Sequence, residues 1–152
     1  MRLDYTCPNP PILSKIALYV WLLSLCLPAL HYDGETYFGY ETLVMGVLFG
    51  WMGLVFQAYS NLTFLLAIYL TFRHKNPIEL AAFTFILGLS TFFLTTIVAT
   101  GDKGVHDSEI ELKVWGVGCW IGSYTLLFIS TVWRFYSERT SNKIRQKSQQ
   151  SV

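Results

Sequence analysis

Charge is what this sequence is shortest of. Only 14% of its 152 residues are Asp, Glu, Lys or Arg, against 53% hydrophobic, a balance too apolar for a soluble domain of this size. No charged residue falls in Ile16 to Leu30, Thr42 to Phe72, Leu80 to Gly101 or Val114 to Trp133. Each stretch reaches or approaches the ~20 residues that ~30 Å of hydrocarbon demands of a helix. The sequence therefore predicts an all-α fold, a polytopic membrane bundle of about four transmembrane helices. The same lack argues against proton-coupled pumps and transporters, which need an ionisable relay group at membrane depth.

Cysteine is scarce as well. Cys7, Cys26 and Cys119 form no Cys-x-x-Cys and no zinc spacing, which excludes a quinone-linked thiol oxidase and a structural zinc site. Cys26 and Cys119 fall at a shared depth, so they form either a pair or two small apolar core residues. No serine within the apolar stretches has a base in reach, so an intramembrane serine protease is excluded too. His31 with Asp33 and Glu35, and His106 with Asp107, Glu109 and Glu111, match no ligand pattern and read as solvated loops. Neither enzymatic activity nor a metal or cofactor is expected.

What charge there is has been sorted along the chain. Arg2, Lys15, Arg73, Lys75, Arg134, Arg139, Lys143, Arg145 and Lys147, nine of the eleven basic residues, lie in segments that face one side if the chain crosses four times. Asp33, Glu35, Glu41, Asp102, Asp107, Glu109 and Glu111, seven of the ten acids, lie in the other two loops with only Lys103 and Lys113. The positive-inside rule then puts both termini and the Arg73-His74-Lys75 turn in the cytoplasm. Leu27 and Ala29 make a poor cleavage pair, so the first segment is expected to stay as a helix.

Local signals set boundaries. Asn76-Pro77-Ile78-Glu79 offers an N-cap, a proline at the first helical position and a capping carboxylate, and predicts the start of the third helix. Ser108-Glu109-Ile110-Glu111 repeats the pattern, which predicts that the fourth helix opens there and runs about 43 Å to Tyr136. The 31 residues of Thr42 to Phe72 are too long for one upright crossing, and two would break the charge rule. The polar run around Gln57 and Asn61 predicts a break, giving one net crossing with a broken or partly re-entrant segment. A transmembrane domain of residues 1–136 is expected to precede a basic cytoplasmic tail, 137–152, that frays into disorder. The sequon Asn61-Leu62-Thr63 lies inside an apolar stretch and reads as accidental.

Small residues recur at helical spacing. Gly46-x-x-x-Gly50 with Gly53, and Gly118-x-x-x-Gly122, mark faces where another helix can approach closely, within the chain or from a partner. Gln57 and Asn61 are the most polar side chains at depth and demand partners there. Ser90, Thr91, Thr95 and Thr96 in the third segment, and Ser123, Thr125, Ser130 and Thr131 in the fourth, either line a path or bond back to their helices. Trp115, Trp120 and Tyr124 read as an outer aromatic belt, and Trp133, Phe135 and Tyr136 as an inner one. Trp21 and Trp51 read as packing residues whose indole donors need partners.

Leu25-Cys26-Leu27-Pro28-Ala29, Gly39-Tyr40-Glu41-Thr42-Leu43, Gly46 to Gly53 and Ser60-Asn61-Leu62 together resemble a group of small uncharacterised bacterial four-helix inner-membrane proteins. Leu22 to Ala67 carries the resemblance. It implies the bacterial inner membrane as location and transfers no activity. Two functions are then open. The first is a non-enzymatic protein that acts by helix–helix interaction, as an accessory or immunity-type subunit; immunity proteins of pore-forming colicins are similar in size and in helix number. The second is an oligomeric channel or passive transporter. The expected partners are the lipid bilayer and another membrane protein or a second copy, not nucleic acid.

Overall fold

A computed structural model describes residues 12–32, 34–50, 59–93, 96–101 and 104–150. Its elements are α1 (Ile12–Leu25), β1 (Pro28–Tyr32), β2 (Glu35–Phe38), α2 (Gly39–Phe49), α3 (Ser60–Phe72), α4 (Ile78–Leu89) with a 3-10 turn at Ser90–Phe93, β3 (Thr96–Gly101), β4 (Gly104–Leu112) and α5 (Val114–Gln150). The chain is mostly helical, as the composition implies. Among the described residues one stretch, Val114–Ser141 in α5, is long and apolar enough to cross a membrane; the other described helices are apolar but shorter.

Helix α5 is the axis of the bundle. α1 and α4 lie against it, and α3 lies against α4. Ala17, Trp21, Phe64, Ala67, Ile68, Ala81, Trp120, Tyr124 and Leu127 form one core, with Trp21 stacked on Phe64 at 5.7 Å and Phe64 against Tyr124 at 5.2 Å. Trp120 and Tyr124 are thus interior residues, not the outer belt that their position suggested. Ser14, Ser24, Ser60, Asn61, Thr71, Thr84, Ser123, Ser130 and Thr131 are buried too, while Ile12, Tyr19, Leu48, Leu66, Ile86 and many other large apolar side chains are exposed.

The two acidic loops are not loops. They build a four-stranded antiparallel sheet in the order β2-β1-β4-β3. Gly34, at φ +81°, closes the β1–β2 turn. β1 pairs with the end of β4 at Leu30↔Leu112, His31↔Glu111 and Tyr32↔Ile110, while β3 pairs with Gly104–Glu109 on the other side. Ser108 to Glu111 therefore lies in a strand rather than capping a helix, and the last helix begins at Val114. The reason is legible afterwards: Thr96, Ile97, Val98 and Thr100 are β-branched, and Gly101 and Gly104 flank a turn, so the segment is a hairpin sequence that a capping motif happens to overlap. For the same reason the apolar stretch from Leu80 to Gly101 is helical only to Phe93.

Two other boundaries differ. Pro77 itself, at φ −86° and ψ 47°, is the N-cap of α4, and the buried Asn76 amide, which was expected to cap it, makes no hydrogen bond. The basic tail, expected as a helix that frays, is helical to Gln150. It holds because Arg, Lys and Gln are good helix formers and Arg134 pairs with Glu138 one turn on, with Arg139 over the Phe135 ring.

Candidate functional site

Three places in this fold gather polar or unpacked groups: the bundle interior, its basic end and the outer face of α5. In the interior, the Asn61 Oδ1 accepts from the Trp21 indole at 2.8 Å and from the Tyr124 hydroxyl at 2.9 Å. With that proton committed, Ser60 Oγ donates to the Tyr124 oxygen at 3.1 Å. One amide thereby joins α1, α3 and α5. Ser14 and Ser130 meet at 2.7 Å between α1 and α5, and Thr84 donates to Thr63 at 2.8 Å between α4 and α3. Such interhelical bonds in an apolar setting are worth roughly 0.6 to 2 kcal/mol each. Trp21 has the indole partner foreseen for it; the Trp120 Nε1 has none.

Four of the other hydroxyls proposed for a path bond back to their own helices. Ser90 donates to Leu87, Ser123 to Trp120, Thr125 to Ile121 and Thr131 to Phe128, all to carbonyls three or four residues earlier. Thr95 lies outside the described residues and Thr96 opens β3. Cys26 and Cys119 are both free. His31 Nδ1 lies 3.1 Å from Thr36 Oγ1 across the β1–β2 pair. Among the described residues no three His, Cys, Asp or Glu side chains gather around a point where a metal would sit.

At the basic end, Arg134 reaches across from α5 to the α3–α4 turn. Its guanidinium donates to the His74 carbonyl at 2.6 Å and the Lys75 carbonyl at 3.4 Å, and its Nε pairs with Glu138 at 2.8 Å. His74 sits at φ 59°, in the left-handed region, and the guanidinium occupies the carbonyls that this turn leaves unpaired. Sequence reasoning counted Arg134 only as a topogenic charge. Its place at the border of an apolar stretch, where a cation needs a partner, was the signal available.

The glycines divide into two sets. A Cβ at Gly39 would collide with the Ser24 carbonyl oxygen, one at Gly116 with the Pro28 carbonyl oxygen, and one at Gly88 with the Tyr124 ring. These three permit close approach within the chain, and no spacing motif singled them out. Among the described residues, a Cβ at Gly118 or Gly122 would have nothing from the rest of the fold within 4 Å. They lie on a side of α5 that continues through Ile129 and includes Trp115 and Trp133, exposed at 76% and 73%, and Tyr136. An open apolar groove of about 550 Å³, lined by Ile129, Trp133, Tyr136 and Thr140 among others, extends it. Gly46 is half-buried in α2, and Gly50 is buried as the α2 C-cap, its N–H bonded to the Gly46 carbonyl. Gly53, Gln57 and Trp51 lie outside the described residues.

No protein-family model, curated protein or solved structure matches the chain.

Proposed function

We propose that the chain is a polytopic protein of the bacterial inner membrane that acts without catalysis, by offering an unpacked helix face to another membrane protein as an accessory or immunity-type subunit. The observation that carries this reading is the Gly118–Gly122 side of α5, where an added Cβ would meet no described side chain although α1 and α4 pack along the same helix. Small residues on an open face let a second backbone come close, and close packing drives helix association where water is absent.

Two features support the membrane setting. The bundle keeps hydroxyls and an amide inside and large apolar side chains outside, the reverse of what water selects. The pairing of β1 with β4 puts both acidic segments on one side, and Arg134 on the carbonyls of His74 and Lys75 puts two basic segments together at another point. That arrangement agrees with four crossings, α2 and α3 forming one broken crossing, and with cytoplasmic termini. A channel finds less support, because Ser90, Ser123, Thr125 and Thr131, four of the hydroxyls it would use, bond to their own backbones.

The test is the double substitution Gly118→Leu and Gly122→Leu in a tagged chain extracted in mild detergent. The fold should survive, since leucine there meets open space and is the better helix former by about 0.8 kcal/mol per site. A stoichiometric partner seen with the unmodified protein should be lost. A partner retained at full stoichiometry on a folded double variant would refute the α5 face as its site.

A further inference from the structure

We infer that the α3–α4 turn is a two-state element that Arg134 holds in the observed state. When the guanidinium lets go, Asn76 becomes the N-cap of α4 and the helix gains Pro77 as its first residue. The device does not depend on what occupies the open face of α5.

The observed turn leaves polar groups without partners. The Asn76 carboxamide nitrogen and oxygen are both buried, and neither makes a hydrogen bond. Folds satisfy nearly all such atoms, so an exception calls for a reason. No side chain caps the first turn of α4, whose N-cap is Pro77, a residue with no side-chain acceptor to offer. His74 stands at φ 59°, uncommon for a residue with a Cβ. Yet the sequence here is Asn76-Pro77-Ile78-Glu79, which could satisfy both the carboxamide and the helix end. The Asn76 side chain would accept from the N–H of Ile78 or Glu79, Pro77 would take the first helical position, and the Glu79 carboxylate would accept from the Asn76 N–H.

One backbone torsion separates the two states. A residue before proline is held extended, the conformation an N-cap uses, so the Asn76 backbone is already suited to capping. Pro77, at ψ 47°, must turn by roughly 90° to reach the helical value near −42°. That rotation swings Lys75 and Asn76 away from their present place beside α5. Arg134 opposes it. Its guanidinium donates to the His74 carbonyl at 2.6 Å and to the Lys75 carbonyl at 3.4 Å, while Glu138 holds its Nε at 2.8 Å. Arg134 is buried, and charged hydrogen bonds of that kind outweigh a neutral cap. Clasp and cap therefore exclude one another. The clasp also makes the turn report on the position of α5. The bond to Lys75 is already at the limit of length, and a shift of α5 by one residue's rise, about 1.5 Å, would break it.

The experiment is a double-mutant cycle in the full chain, Asn76→Ala against Arg134→Lys, read by denaturant titration in micelles and by hydrogen exchange at the Glu79 amide. Lysine keeps the charge but cannot fork between two carbonyls. With Arg134 in place, Asn76→Ala should leave the unfolding constant unchanged or lower it, because the amide bonds nothing. In the Arg134→Lys chain the same change should raise the unfolding constant about fivefold, the worth of an Asn N-cap. The Glu79 amide of the Arg134→Lys chain should exchange about fivefold more slowly than that of the unmodified chain. Arg134→Gln provides a second background with the same expected signs. Destabilisation by Asn76→Ala while Arg134 is present would mean that the amide is already bonded and would overturn the inference. Equal effects of Asn76→Ala in both backgrounds, or Glu79 exchange that the loss of Arg134 leaves unmoved, would overturn it as well.

Discussion

Asn61 Oδ1 holds two donors from two different helices, so its loss strands both rather than removing one bond. Asn61→Leu keeps the volume close and takes away the acceptor, leaving the Trp21 indole and the Tyr124 hydroxyl unpaired inside the bundle. The expected cost is about 2 kcal/mol or more, since a buried donor without a partner costs 1 to 3; denaturant titration in micelles, followed by tryptophan fluorescence, reads it. Gly88 and Gly118 make a second comparison in the same assay. Alanine at Gly88 needs the Tyr124 ring to move and with it the bond to Asn61, at an expected 1 to 3 kcal/mol. Alanine at Gly118 meets open space and should be neutral or stabilising by up to about 1 kcal/mol. Equal effects at the two glycines would remove the distinction between packed and open faces.

Elements were legible in the sequence where one signal acted alone. The apolar runs around Trp21, Phe64 and Leu127 gave helices, and Pro77 gave the start of α4 to within a residue. Two signals competed between Leu80 and Glu111. Length and the lack of charge argued for a membrane helix through Gly101, and Ser108 with Glu111 for a cap, while β-branching and paired glycines argued for a hairpin; the hairpin won because β1 was there to extend it. That contribution comes from residues nearly eighty positions away, which no window of local sequence contains. Asn61 could be seen to need partners but not which ones, and the open face of α5 was visible as Gly118-x-x-x-Gly122 but not as open. The Arg134 tether was missed for the same reason, its carbonyl partners being 59 and 60 positions distant. Arg134→Met should cost about 2 to 3 kcal/mol, since bonds to a buried charge are worth 1.5 to 3. Arg134→Lys should recover little, because an ammonium cannot fork between two carbonyls. Glu138, half exposed, should matter by no more than about 0.5 kcal/mol when changed to Gln.

At the scale of the whole molecule, two of the ties between the halves of the chain lie outside the core, β1 on β4 and Arg134 on the α3–α4 turn. The topology proposed from these ties predicts a labelling pattern in cells. In a chain with its own cysteines replaced, Thr36→Cys should react with a membrane-impermeant maleimide from outside, and Lys75→Cys only after the membrane is opened. Equal labelling of both from outside would reverse or abolish the four-crossing arrangement. The sheet order also has a consequence in time. Tyr32 finds its place beside Ile110, roughly eighty residues later in synthesis, which at 5 to 20 residues per second is an interval of about 4 to 16 s. Throughout it the β1–β2 hairpin has an unpaired edge and no sheet to join. The nascent chain is then at its most vulnerable to proteases, and a chaperone acting on that face would shelter it until the ribosome has passed Leu112.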